Sequence, residues 1–268
     1  MVRVTVWIIF FALPSCHAYG LEGSVRSTPP VPFSTSEACT PGPLVGTTGT
    51  VEGATVSVTT LLAPQKAARA FEDVEKDFAK NRLENAEKKL NTTLAIYPKS
   101  AVAWCLLGTL REKRLQLDEA FTDYSRALRI DSHLLPAYLA LARIAFRGKR
   151  WQEVIQFTDQ LVSIDSLGFP VAYLYNAAAN LNLENLTVAE KSARMFQALD
   201  TEHERPQVYL LLGDILAREG DYAGAAEQKK TFLTIVPNAY DAEEIKEQVK
   251  FLEELRRRTV NDSVTASN

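Results

Sequence analysis

The residues of this 268-residue chain that could do acid–base, nucleophilic or metal chemistry are few and scattered. Its histidines are His17, His133 and His203, and its cysteines are Cys16, Cys39 and Cys105. No H-E-x-x-H or C-x-x-C spacing gathers them for zinc. Gly46, Gly49 and Gly53 stand in a Gly/Thr-rich tract, but no Gly-Lys-Ser/Thr follows to make a phosphate loop. The Asp and Glu residues fall on polar helix faces, not in pairs within a shaped pocket that would raise one pKa. We therefore expect no catalytic residues, no metal ligands, no cofactor and no enzyme activity. What remains is recognition chemistry: arginines that grip carboxylate and carbonyl oxygens, and Tyr and Leu that offer apolar contact. Sequons at Asn91, Asn185 and Asn261 matter only in a eukaryotic secretory route, and we assign them no role.

The composition is that of a soluble globular protein, 46% apolar and 24% charged. A net charge of −3 is small and of the wrong sign for gripping nucleic acid, so no nucleic-acid partner is expected. Residues 1–18 read as a signal peptide: Arg3, the apolar run from Val4 to Leu13, Pro14, and small residues before a cleavage point after Ala18. That run is too short to cross a bilayer, which needs roughly 20 residues. Leu13-Pro14-Ser15-Cys16 also resembles a bacterial lipobox, so lipid attachment at Cys16 is the alternative, and the membrane is a partner only in that case. The expected localisation is thus exported, periplasmic or secreted. Removing Arg3 with the signal leaves 29 basic residues against 33 acidic ones, a net charge of −4. Cys39 and Cys105 remain; a disulfide between them is allowed but not demanded, and Cys105 reads best as a small buried apolar side chain.

Residues 19–63 are expected to form a flexible spacer. Pro29, Pro30, Pro32, Pro41 and Pro43 alternate with Ser, Thr and Gly, and the apolar surface is too small to offset ordering entropy. Within it, Thr55 to Thr59 alternates like a short strand. From about Ala67 apolar residues recur every three or four positions, the helical period. The chain also repeats itself. Trp104, Leu107 and Gly108 recur as Tyr138, Leu141 and Ala142, then as Ala172, Tyr175 and Asn176, then as Tyr209, Leu212 and Gly213. Ala86, Ala120, Val154, Ala189 and Ala225 form a second series, and Leu94, Leu128 and Val162 a third. Small residues stand where two helix backbones approach closely, aromatic and leucine positions fill the space between pairs, and no pair alone can bury its apolar face.

This pattern resembles the tetratricopeptide repeat, W-x2-L-G-x2-Y followed by A-x3-F and a closing proline. Trp104, Leu107, Gly108 and Ala120 match it, Tyr124 stands in for the phenylalanine, Arg111 replaces an aromatic and Ser132 the proline. Pro98 and Pro237 hold the closing position elsewhere. The resemblance implies an all-α tetratricopeptide-type superhelical solenoid over 64–239, with five helix-turn-helix repeats at 67–100, 101–134, 135–168, 169–205 and 206–239. The fourth carries three extra residues between Leu183 and Pro206. A capping helix over 240–258 follows, acidic at its start and closed by Arg256 to Arg258 in keeping with the helix dipole, then a disordered tail over 259–268. The layout is also similar to exported bacterial proteins of this class, on Val56-Ser57-Val58 and Pro64-Gln65-Lys66-Ala67.

By the same resemblance the first helix of each repeat lines a concave surface that binds an unidentified protein or peptide. The inward positions are Glu75; Cys105, Thr109 and Glu112; Leu139, Arg143 and Arg147; Tyr173, Ala177 and Asn180; Leu210, Asp214 and Arg218. The Lys/Asn clamp of chaperone-binding relatives is replaced by Phe71, Glu75 and Thr109, so a C-terminal carboxylate is not the expected ligand. The expected function is an exported scaffold or adaptor. The alternative is an accessory subunit of an envelope secretion, pilus or outer-membrane assembly complex.

Overall fold

The computed structural model describes residues 73–266 except Glu75 and Ala79, with 260–266 as backbone only. The expected signal peptide, lipidation site, spacer, strand, first-repeat start and Glu75 all lie outside the described residues. A helical stretch at 73–78 leads into α1 (Leu83–Ile96). Four helix pairs follow: α2 (Ala101–Lys113) with α3 (Leu117–Ile130), α4 (Leu135–Arg147) with α5 (Trp151–Ile164), α6 (Val171–Asn182) with α7 (Leu186–Leu199), and α8 (Gln207–Glu219) with α9 (Tyr222–Ile235). α10 (Ala242–Ala266) closes the array. The described residues are helices and turns throughout, an all-α solenoid.

Each pair sits inside one of the repeat boundaries read from the sequence, and the small-residue series explains why the pairs close. Ala86, Ala120, Val154, Ala189 and Ala225 are all fully buried between paired helices. Gly108 lies under the fully buried Tyr124 ring: a Cβ there would come within 2.9 Å of Tyr124 Cδ1 and Cε1. Each first helix packs on its own partner and on the second helix of the unit before, α4 on α3, α6 on α5 and α8 on α7. The first helices also touch in succession, α4 with α6 and α6 with α8, as in a stacked repeat array.

Every turn inside a unit is built alike. Asn81, Leu115, Lys149, Glu184 and Gly220 all have positive φ, between 53° and 87°. In each, the following residue's N–H returns to the carbonyl five residues earlier, as in Gln116 N to Arg111 O at 2.9 Å and Arg150 N to Ala145 O at 2.9 Å. That is the left-handed helix stop usually made by glycine, yet only Gly220 is one. Leu115 is 76% exposed at φ 61°, strained without compensating burial. Leu115→Gly is expected to raise the unfolding free energy by about 0.5 to 1 kcal/mol, read as a higher urea midpoint. An unchanged midpoint would show that the turn is not strained.

The starts of the helices use more familiar devices. Ser100 Oγ accepts from Ala103 N and Asp221 Oδ1 from Gly224 N, capping α2 and α9. Pro136 sits in the first turn of α4, where a missing N–H costs nothing. The extra residues of the fourth unit fall in the loop after α7, where Asp200 accepts from the N–H groups of Glu204 and Arg205. One boundary is corrected. The last helix was expected to stop at 258, but α10 continues to Ala266, so 259–266 is not an irregular tail. No Gly or Pro interrupts 259–266, and the basic triplet, read as an end, lies mid-helix, where Arg258 pairs with Glu254 one turn back.

Candidate functional site

The first helices carry the expected recognition residues, and the structure sorts them into two groups. Thr109, Glu112, Leu139, Arg143, Ala177, Asn180 and Leu210 are buried. Arg147 and Arg218 are exposed, while Tyr173 and Asp214 are half-buried.

The buried polar members form connected networks. Glu112 of α2 faces Arg143 of α4 across the unit boundary: Arg143 Nε donates to Oε1 and Nη2 to Oε2, both at 2.7 Å. Tyr124 of α3 donates its hydroxyl to Glu112 Oε2 at 3.0 Å and reaches Thr109 Oγ1 at 3.1 Å. Arg147 Nη1 adds a longer contact to Glu112 Oε1 at 3.8 Å. Burial works against the Arg143 charge, but the Glu112 hydrogen bonds and charge outweigh it, so the guanidinium is held ionised. Burial, followed by the Glu112 charge, raises the Tyr124 pKa, so the hydroxyl stays a donor. These are structural tasks. Arg143 is a clamp between units.

Asn180 belongs to a ladder further along. Its Nδ2 donates to Asn176 Oδ1 at 2.9 Å, and Asn185 Nδ2 donates to its Oδ1 at 3.2 Å. Asn176 Nδ2 in turn donates to Thr158 Oγ1 and Asp159 Oδ1, and its Oδ1 accepts from Ser192. Three helices, α5, α6 and α7, are thereby fixed around one amide. Leu139 and Leu210 pack in apolar clusters, Leu210 with Phe232, Ala239, Ala242 and Ile245. Asp214 is drawn inward by the buried Lys229, whose Nζ donates to Asp214 Oδ1 at 2.6 Å and Gln248 Oε1 at 2.8 Å, joining α8, α9 and α10.

Three of the less buried members sit near helix ends. Arg147 projects from the end of α4; Tyr173, near the start of α6, donates its hydroxyl to Ser166 O at 3.1 Å. Arg218 lies in the last turn of α8, with Nη1 2.6 Å from Glu184 Oε1. Arg147, Tyr173 and Arg218 thus stand on successive first helices, each already engaged with a neighbour within the fold. Among the described residues no group of three or more His, Cys, Asp and Glu is arranged for a metal, and no helix is long and apolar enough to cross a membrane.

Three features escaped the sequence. Cys105, expected to be a small buried apolar side chain with a disulfide allowed but not demanded, is fully buried and disulfide-bonded; nothing in the local pattern decides between the two. Asp123 is buried on α3 with Arg111 Nη1 2.8 Å from its Oδ2, although neither carboxylate oxygen accepts a well-formed hydrogen bond. Lys229 is a buried cation whose i,i+4 pattern looks like any polar helix face.

No family model and no curated protein matches the chain. Solved structures do. YrrB, described as a TPR protein with an unusual peptide-binding site, is 16% identical; the match covers 69% of this chain and 100% of that one at a TM-score of 0.59. MamA from Desulfovibrio magneticus RS-1 is 15% identical over 66% of this chain and 98% of its own, with a TM-score of 0.58. PilF of Pseudomonas aeruginosa is 18% identical over 73% and 97%, with a TM-score of 0.53. The chain has the tetratricopeptide-repeat fold, and at this identity the likeness speaks for the fold alone.

Proposed function

We propose that this protein is an exported, non-enzymatic scaffold that binds a protein or an extended peptide along its row of first helices. The observation that carries the reading is the placement of Arg147, Tyr173 and Arg218, accessible on successive first helices while their neighbours are locked in networks that hold the surface rigid. A preorganised surface loses little entropy on binding, which favours this use. The peptide-binding site named for YrrB supports the same use of the fold. Export is supported by the N-terminal signal pattern and by the disulfide at Cys105, a bond that persists in oxidising compartments.

The test is an affinity capture from a crosslinked envelope fraction with the full mature chain, against an Arg147→Glu/Tyr173→Ala variant of unchanged circular dichroism. Arg143 is unsuitable for such a variant because its loss breaks the buried pair. A partner retained by the parent and lost by the variant is the expected result. Equal capture by both would remove the first-helix surface from consideration. Stable stoichiometric co-purification, as opposed to weak capture, would favour an accessory subunit of an assembly complex over an adaptor.

A further inference from the structure

The turns that join the two helices of each unit form one edge of the array, and contacts run along it from unit to unit. Lys113 Nζ stands 5.1 Å from the Phe78 ring centre, and Arg114 Nη1 lies 2.6 Å from Glu87 Oε2. The Arg150 guanidinium lies 4.6 Å from the Phe121 ring centre, and Arg218 Nη1 is 2.6 Å from Glu184 Oε1. Charge along this edge changes sign. The stretches 80–82, 113–116 and 147–150 hold seven cations and no carboxylate, whereas 182–185 and 218–221 hold three carboxylates and one cation. The starts of α1, α3 and α5 add Glu84, Glu87, Asp118, Glu119 and Glu153, yet the first three turns keep a net positive charge. Lys80, Arg82, Lys113 and Lys149 are exposed, while Arg114 and Arg150 are half-buried and paired with Glu87 and Glu153.

Leu115 stands at the centre of the positive part. It holds the left-handed position at φ 61°, between Asn81 at 53° and Lys149 at 54°. Its counterparts Asn81, Lys149 and Glu184 are polar; Leu115 puts an apolar side chain there and leaves it 76% exposed. Strained backbone of this kind clusters at ligand clamps and switch regions, and here the fold gives the side chain no burial in return.

We infer that the edge formed by the first three turns binds an extended acidic segment of another protein, with one large apolar residue seated on Leu115 and carboxylates on the cations either side. Packed helices lie about 10 Å apart, so three successive turns span roughly 20 Å, the reach of about six extended residues. The apolar contact selects a polypeptide: a phosphate backbone would answer the lysines and arginines but gives Leu115 nothing. Glu184, Glu219 and Asp221 repel the same ligand at the next two turns, so it stops at the third unit and is held in one register. This edge is a second surface beside the row of first helices, and Arg147, at the end of α4, borders both.

The full mature chain is titrated against a fluorescent heptapeptide of six glutamates around a central leucine, followed by anisotropy at low and physiological salt. Saturable binding that weakens several-fold with salt is expected. Arg82→Glu/Lys149→Glu is expected to weaken it about tenfold or more. Both side chains are exposed, and Glu184 already occupies the turn position of Lys149, so this variant keeps the parent's circular dichroism. Leu115→Ala is expected to weaken binding several-fold without changing its salt dependence. Lys191→Glu/Arg256→Glu, the same charge change on exposed residues of α7 and α10, is expected to bind like the parent. No binding to the parent at low salt would overturn the inference. Equal loss in the α7/α10 control would reduce the effect to overall charge, and full binding by Leu115→Ala would remove the anchor; either result overturns it too. So would an oligouridylate that binds as tightly as the peptide and ignores Leu115→Ala. A parent dimer in sedimentation that dissociates in Arg82→Glu/Lys149→Glu would assign the edge to a second copy instead.

Discussion

Arg143→Ala is expected to lower the unfolding free energy by about 3 to 5 kcal/mol, the usual cost of removing one partner of a buried ion pair. The reason lies in what is left behind. Glu112 is buried, its two carboxylate oxygens each accept a 2.7 Å bond from Arg143, and the Tyr124 hydroxyl reaches only one of them. Arg147, at 3.8 Å from Oε1, is too far for a good hydrogen bond and too exposed to replace the lost charge. Arg143→Lys recovers only part of the loss, because an ammonium cannot make the two parallel bonds of the guanidinium. The double substitution Glu112→Gln/Arg143→Met is expected to recover most of it, since a neutral amide still accepts from Tyr124 and the apolar chain fills the guanidinium's space. Urea unfolding followed by far-ultraviolet circular dichroism reads all three. A cost below about 1 kcal/mol for Arg143→Ala would place the pair among solvent-screened surface bridges, where such values are the norm.

The Glu112–Arg143 pair marks the limit of what the sequence reveals. Period and residue size set the units: Gly108 and Ala120 with their counterparts stand where backbones meet and Trp104 with its counterparts fills the space between pairs, and the pairs fall where those residues place them. The turns were not legible at the same level, because the left-handed position is held by Leu115, Lys149 and Glu184, which carry none of the glycine signal. Nor was the end of α10, where a basic triplet imitates a terminus. The surface was the hardest part. Glu112 and Arg143 are 31 residues apart, and whether an inward register position meets solvent or the next unit depends on the superhelical step, which no single repeat specifies. Tyr124 was read as a substitute for phenylalanine, but its hydroxyl has a task the phenylalanine lacks: it anchors the carboxylate that receives the clamp. Cys105 posed the same difficulty in covalent form, since its partner is set by chain path, not by local pattern.

Asp123 is expected to make stability fall as pH rises from about 4 to about 7, a direction opposite to that of most paired carboxylates. Its side chain is fully buried on α3, and burial pushes its pKa up from 3.8 to about 6, with Arg111 and Arg126 opposing and Glu119 adding to the rise. The native state therefore keeps a proton that the unfolded chain releases near its ordinary value. Between the two pKa values the folded form binds more protons than the unfolded form. The stabilisation is fully present below the unfolded pKa and is lost as pH climbs through the folded one. A shift of about two units corresponds to about 3 kcal/mol. Arg111 Nη1, 2.8 Å from Oδ2, does not reverse the sign, because neither carboxylate oxygen receives a well-aligned hydrogen bond that would hold the charge in place. Other carboxylates titrate in the same window, so the informative quantity is the difference between the parent and Asp123→Asn, measured by urea unfolding at both ends of the range. The parent's advantage over Asp123→Asn is expected to shrink by about 3 kcal/mol from about pH 4 to about pH 7. A difference that grows with pH would mean that Arg111 engages the ionised carboxylate fully, and that Asp123 is an ordinary ion-pair partner.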